Sequence, residues 1–105
     1  MATRCTIKIE GVYNVKIYKH FDGYPAATLP WLQDFNQKFM ENRGIDSSYK
    51  FAQLLRSSVR DAEKYPLLDQ SKYTGWGVIG YHDKGDEAYE YTLLNNGEVS
   101  YIEIP

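Results

Sequence analysis

The fold is decided in the stretch Tyr18-Lys19-His20-Phe21-Asp22-Gly23-Tyr24-Pro25, which joins an extended segment to a helical one. Asp22 and Gly23 are turn residues, because aspartate bonds its own downstream backbone and glycine accepts a positive φ angle. Tyr24 precedes Pro25 and is therefore biased toward an extended conformation. The stretch predicts a sharp turn between a strand and a helix, and we call residues 18–25 the corner.

Upstream of the corner, two segments alternate apolar and polar side chains with the period of a half-buried strand. In residues 3–10, one face carries Cys5, Ile7 and Ile9, and a similar alternation continues in residues 12–20. Gly11 separates the two segments. The pattern predicts an antiparallel hairpin of two strands around this glycine.

Downstream of the corner, apolar residues recur at helical spacing in two segments. Thr28 is the predicted N-cap of the first helix, and Gly44 is the predicted residue after its end. Asp46 or Ser47 is the predicted cap of the second helix, which extends to about residue 64. The apolar stripe of the second helix consists of Phe51, Ala52, Leu55, Val59 and Ala62.

The last third of the chain contains three predicted strands bounded by turn residues. They cover residues 76–82, 88–94 and 99–104, and residues 83–86 form a predicted turn between the first two. Asn96 and Gly97 predict a type I′ hairpin between the last two strands.

The predicted order of elements is therefore ββααβββ in a single domain of residues 1–105. Strands and helices that cluster separately along a chain are typical of the α+β class. We expect an antiparallel sheet of about five strands with two helices packed on one face. A chain of 105 residues with 43% hydrophobic residues can bury one core without disulfides or metals.

Composition narrows the classes of partner and location. Cys5 is the only cysteine, so no internal disulfide forms, and this suits a reducing compartment. The start of the chain has no signal-peptide pattern and no apolar run reaches membrane-spanning length, so we expect a cytoplasmic protein without membrane contact. Residues 83–105 hold one lysine against six carboxylates, a net charge of −5, which argues against nucleic-acid binding.

The corner contains the side chains that are best suited to catalysis or to binding a ligand. Tyr18 and His20 are two apart on a strand and therefore share a face, and Asp22 joins them if the strand continues. A histidine beside a carboxylate is held in one tautomer, as a general base requires. The N-terminus of the following helix offers N–H groups to an anion, and Tyr24 and Trp76 are candidates to stack on a planar ligand.

A purely structural interpretation explains part of the same segment, because Asp22, Gly23 and Pro25 are also ordinary turn and helix-entry residues. No nucleophile motif, phosphate loop or short metal-ligand motif occurs in the chain, so the sequence predicts neither catalytic residues nor a metal site. His20, Asp22, His82 and Asp83 would form a metal site only if two distant strand ends converged. We expect no cofactor.

The strand tyrosines suggest a second surface. Tyr89 and Tyr91 share a strand face, and Tyr101 lies opposite them across the predicted hairpin. Tyrosine suits a half-buried strand, and it is also enriched at protein interfaces. We expect these three tyrosines on the helix-free face of the sheet, where they would contact a partner protein or a second copy of the chain.

The first 35 residues resemble a group of short uncharacterised proteins from phages, prophages and bacteria. The resemblance rests on the start Met1-Ala2-Thr3-Arg4 and on the corner, which match the patterns M-[AG]-T-R and Y-x-[HQ]-[WFY]-D-G-Y-P. It implies a phage or mobile-element protein in the cytoplasm of a bacterial host. Small accessory proteins of this kind often block a host protein, sequester a nucleotide signal or counter a defence system, as anti-CRISPR proteins do.

Two functions follow as hypotheses. The first is a non-catalytic binding protein that engages a host protein in counter-defence, through the corner and the tyrosine surface. The alternative is a nucleotide- or small-anion-binding protein that uses the corner around His20, Asp22 and Tyr24.

Overall fold

The computed structural model describes residues 3–62, 75–80 and 87–105, and side chains within residues 3–56, 75–80 and 87–105. Within these ranges it has the α+β class and the order ββααβββ that the sequence predicts. The elements are β1 (Cys5–Ile9), β2 (Val15–Lys19), α1 (Pro25–Asn42), α2 (Ser47–Ala62), β3 (Trp76–Gly80), β4 (Tyr89–Leu93) and β5 (Val99–Glu103).

The sheet is mixed, in contrast to the antiparallel sheet that we expected. Its strand order is β3-β2-β1-β4-β5, and three neighbouring pairs are antiparallel while β1 and β4 are parallel. β3 and β4 are consecutive in the chain but are not neighbours in the sheet. The expectation was wrong because alternation assigns side chains to faces, whereas it does not determine which strands pair.

The core lies between one face of the sheet and the two helices. Cys5, Ile7 and Ile9 point into it as predicted, and each is at most 1% exposed. Leu32 of α1 and Leu54 of α2 are fully buried in the same cluster. Leu54 was not in the predicted stripe of α2, and Ala52, which was, is exposed. Phe51 and Leu55 of the predicted stripe do pack against the core, so the buried face of this helix is shifted toward Leu54 and only partly matches the predicted one.

Helix boundaries follow local capping chemistry. α1 begins at Pro25 and not after Thr28. Tyr24 is extended because it precedes a proline, and the proline starts the helix without loss because the first N–H groups of a helix have no backbone partner within it. Gly44 takes φ +81° and bonds the Met40 carbonyl, as predicted for the residue that follows a helix. The Asp46 carboxylate accepts the Tyr49 N–H at 3.3 Å, which confirms one of the two predicted caps of α2. The predicted end of α2 near residue 64 lies outside the described residues.

The predicted hairpin between β4 and β5 forms, but its turn is not type I′. Asn96 has a negative φ angle, whereas Gly97 has φ +91°. The Leu94 N–H donates to the Glu98 carbonyl at 2.9 Å, so three residues form the loop. This is the three-residue hairpin with glycine in the left-handed position, in which Asn96 Oδ1 accepts the Glu98 N–H at 3.0 Å.

Candidate functional site

The corner is bound to the core through the backbone of Gly23. Its N–H donates to the Thr3 carbonyl at 2.9 Å, and its carbonyl accepts a buried 2.7 Å hydrogen bond from the Tyr91 hydroxyl. A Cβ atom at this position would lie 2.8 Å from Cys5 Cβ. The corner therefore contacts both β1 and β4, and only glycine permits so close an approach to β1.

Asp22, and not Gly23, takes the positive φ angle of the corner, at +57°. The sequence prediction that Gly23 takes the positive φ angle was wrong. A glycine is needed at position 23 because a side chain there would collide with β1. Aspartate is one of the few residues that adopts the left-handed region at modest cost. The Thr28 hydroxyl donates to the Asp22 carbonyl at 2.5 Å, so Thr28 stabilises the corner from inside α1 and not as its N-cap.

Tyr18 and His20 share a face, as predicted. The Tyr18 hydroxyl lies 2.7 Å from His20 Nδ1, and the His20 ring meets Phe21 edge-on at 4.7 Å. β2 ends at Lys19, and Asp22 is then in the left-handed conformation. The strand alternation therefore stops before Asp22, and the expected alignment of its carboxylate with the other two side chains does not occur.

The aromatic residues around the corner are divided between the two faces of the sheet. Trp76 pairs with Lys19, so it lies beside the corner as expected. Its ring meets Trp31 of α1 edge-on at 5.7 Å on the helix side, whereas Tyr18 points to the opposite face. A planar ligand that stacks on the ring of Trp76 therefore does not stack on that of Tyr18. Phe21 and Tyr24, in the corner itself, are 40% and 42% exposed.

The three strand tyrosines form one cluster, but on the helix-facing side and not on the helix-free face that we expected. Their ring centroids are 5.6 to 6.5 Å apart. Tyr91 pairs with Ile7 and is fully buried, and this burial raises the pKa of its hydroxyl. Tyr89 is partly buried against the core. Tyr101, on the edge strand, is 44% exposed and is the most accessible of the three.

The face of the sheet opposite α1 and α2 holds an ion-pair network that the sequence analysis did not predict. Glu90 accepts a hydrogen bond from Thr6 at 3.2 Å and forms ion pairs with Lys16 at 3.1 Å and Lys8 at 3.4 Å. Burial raises the pKa of Glu90, but the two lysines lower it more, and the net shift is downward. The polar residues of the alternating pattern were the available signal, because they place these side chains on one face.

A second buried polar contact joins the helices to the β4–β5 turn. The Lys50 ammonium donates to Asn36 Oδ1 at 2.6 Å, and both side chains are fully buried. Asn36 Nδ2 donates in turn to the carbonyls of Leu94 and Glu98. Burial lowers the pKa of Lys50, and the carboxylate of Glu10 opposes this shift. The sequence offered no signal for this contact, since lysine and asparagine on a helix are usually exposed.

The groups with catalytic or metal-binding chemistry are placed as follows. Burial raises the pKa of the Cys5 thiol to about 12, although Lys19 opposes the shift, so the thiol is protonated at neutral pH. His82 and Asp83 lie outside the described residues. In the part of the chain that the structure describes, no three histidine, cysteine or acidic side chains are grouped to hold a metal ion.

In comparisons with known proteins, no family model, curated protein or solved structure matches the chain. Neither of the described helices combines the length and the apolar composition needed to cross a membrane.

Proposed function

We propose that this protein acts by binding a host protein through the corner, without catalysing a reaction. The observation that carries the proposal is the exposure of Phe21 and Tyr24 on a backbone that Gly23 fixes to the core. Exposed aromatic side chains supply much of the energy of protein interfaces. A backbone that is already ordered loses little entropy on binding, which leaves more of that energy as affinity.

The likeness of the first 35 residues to short phage and prophage proteins supports a mobile-element origin and a bacterial cytoplasmic setting. Counter-defence, as performed by anti-CRISPR proteins, is the role proposed for such a binder. Tyr101 extends the candidate contact surface beyond the corner, because it remains 44% exposed. Tyr89 and Tyr91 support the surface from within and are not themselves proposed contacts.

The test is comparative affinity capture from bacterial lysate, followed by a binding measurement with the captured protein. The variant Phe21→Ala/Tyr24→Ala removes both exposed rings of the corner. Tyr13→Ala is the matched control, because Tyr13 is 69% exposed in the loop between β1 and β2. Loss of two interface aromatics weakens binding by at least about tenfold, whereas the control binds like the wild type. Equal capture by all three proteins would contradict a role for the corner.

A nucleotide or small anion is the alternative ligand. Two observations favour it: the hydrogen-bonded pair of Tyr18 and His20, and the absence of acidic residues in the first turn of α1. A helix N-terminus without such carboxylates keeps its attraction for an anion. Titration calorimetry with ATP and with inorganic phosphate tests this function. Binding that His20→Ala abolishes without unfolding the protein supports the alternative, and heat-silent titrations of the wild type contradict it.

A further inference from the structure

Within the described residues, the outer edge of the sheet at β5 has backbone groups that no other strand pairs with. β5 is the last strand in the sheet order. β4 is hydrogen-bonded to the even-numbered residues at this edge. The Leu94 N–H donates to the Glu98 carbonyl, and the Ile104 N–H donates to the Ala88 carbonyl. In an antiparallel ladder, alternate residues of a strand point their N–H and C=O groups to opposite sides. The backbone groups of Val99, Tyr101 and Glu103 therefore face away from the sheet.

Among the described residues, this edge has little of the usual protection against pairing with another strand. Natural edge strands are short, carry proline or charged side chains (above all lysine) or a bulge, or are covered by another segment. β5 is short and carries one charge, on Glu103. Residues 99–103 contain neither proline nor lysine, and their pairing with β4 is regular. Tyr101 and Ile102 are 44% and 60% exposed. Among the described elements, only β4 pairs with β5.

We propose that β5 pairs with β5 of a second copy of this chain, in an antiparallel arrangement about a twofold axis at Tyr101. In this register Val99 of each copy meets Glu103 of the other, and the two Tyr101 residues meet at the axis. All three outward-facing residues then pair with outward-facing residues, which provides about six backbone hydrogen bonds. Registers shifted by two residues leave at least one of the three without a partner in the strand.

The charges and side chains of β5 agree with this register. Glu103 is the only charged residue of the strand, and it lies opposite Val99 and not opposite another carboxylate. The two Glu103 residues are about 13 Å apart, so their repulsion is largely screened. On the other face, Ile102 meets Ser100. Like charges directly opposite each other would destabilise the pair, and this arrangement avoids them.

The size of the contact sets its expected strength. Stable interfaces bury about 1,200–2,000 Å² in total, and two five-residue strands joined at their edges bury less than this. The second copy therefore binds weakly and reversibly, with a Kd in the micromolar to millimolar range. This inference does not rest on the proposed binding at the corner, because it uses neither Phe21 nor Tyr24. The two proposals share only Tyr101, which lies at the twofold axis here and extends the contact surface there.

Sedimentation equilibrium of the wild type, Glu103→Pro and Glu103→Ala tests the pairing. Proline removes the outward N–H of Glu103 and leaves the bonds to β4 intact, so Glu103→Pro stays monomeric at concentrations where the wild type dimerises. Glu103→Ala keeps the N–H and dimerises like the wild type. A wild type that is monomeric at millimolar concentration overturns the proposal, and so does a Glu103→Pro variant that dimerises equally well.

Mixed-disulfide formation gives a second test that does not require a proline in the strand. In the proposed dimer, a Ser100→Cys thiol on one copy faces an Ile102→Cys thiol on the other. In a dimer of two Ser100→Cys copies, or of two Ile102→Cys copies, the thiols are too far apart to form a disulfide. Mixing the two variants under mild oxidation therefore yields a mixed dimer faster than either homodimer. Equal rates contradict the register. Protection of the edge amides only in complex with a different protein would assign β5 to that partner instead.

Discussion

The substitution Gly23→Ala tests whether the corner depends on close contact with β1. The new Cβ would lie 2.8 Å from Cys5 Cβ, 2.9 Å from the Cys5 nitrogen and 2.9 Å from the Thr3 carbonyl oxygen. Two of these atoms belong to the backbone, so no side-chain rotation relieves the contact. Overpacking costs about 1–3 kcal/mol, and weakening the hydrogen bond to Thr3 adds about 1 kcal/mol. We expect a loss of about 3 kcal/mol in the free energy of unfolding.

Urea unfolding followed by tryptophan fluorescence measures this loss. With an m-value of about 1.5 kcal/mol per M, the midpoint falls by about 2 M while the slope stays unchanged. Gly77→Ala is the control, because its Cβ would meet nothing closer than 3.9 Å and Gly77 has no positive φ angle. We expect it to change stability by less than about 0.5 kcal/mol. If the two variants unfold at the same midpoint, the close approach is not what requires glycine.

Two further predictions concern the neighbours of Gly23. Tyr91→Phe leaves the buried Gly23 carbonyl without its hydrogen-bond donor, so it lowers the free energy of unfolding by about 1–2 kcal/mol. The control Tyr101→Phe changes that free energy little. Equal urea midpoints for the two variants would contradict the prediction. Burial raises the pKa of Cys5 from 9.0 to about 12, so its contribution to stability is complete below pH 9 and is lost as the pH rises toward 12. The loss of stability at pH 10 is about 1 kcal/mol, and the variant Cys5→Ala does not show it. If the urea midpoints of the wild type and of Cys5→Ala depended equally on pH, the reasoning would be refuted.

Much of the fold could be predicted from the sequence because local patterns specify local structure. Alternation in residues 5–9 identified β1 and the side that enters the core. Turn and cap chemistry predicted Gly44 as the residue after the end of α1 and Asp46 or Ser47 as the cap of α2, and Asp46 caps it. The turn type at Asn96 and Gly97 was wrong because the hydrogen bond from the Glu98 N–H to the Asn96 side chain favours a longer loop.

The sheet order and the tyrosine face could not be predicted, because they depend on contacts between distant segments. The parallel pairing of Tyr91 with Ile7, which joins distant segments, places Tyr91 on the core face of the sheet. A single strand of alternating tyrosines is compatible with either face. The same limit applies to the buried contact between Lys50 and Asn36, since no local pattern distinguishes it from two exposed side chains.

The candidate site was predictable in part. Spacing along one strand was sufficient to bring Tyr18 and His20 together, and their side chains are 2.7 Å apart. The hydrogen bond from Tyr91 to Gly23 joins residues 68 apart in sequence, and such a contact leaves no local signature. It nevertheless holds the corner, together with the close approach of Gly23 to β1, for which the glycine is needed while Asp22 adopts the left-handed conformation.

The parallel pairing of β1 and β4 has a consequence for biosynthesis. Thr6 and Glu90, which bond across these strands, are 84 residues apart, so the ribosome makes β1 long before β4. Until β4 emerges, one edge of β1 is open and its apolar side chains lack the cover of Tyr91 and Leu93. The sheet thus closes late, and a nascent chain that stalls before residue 89 presents a strand edge able to pair with other chains.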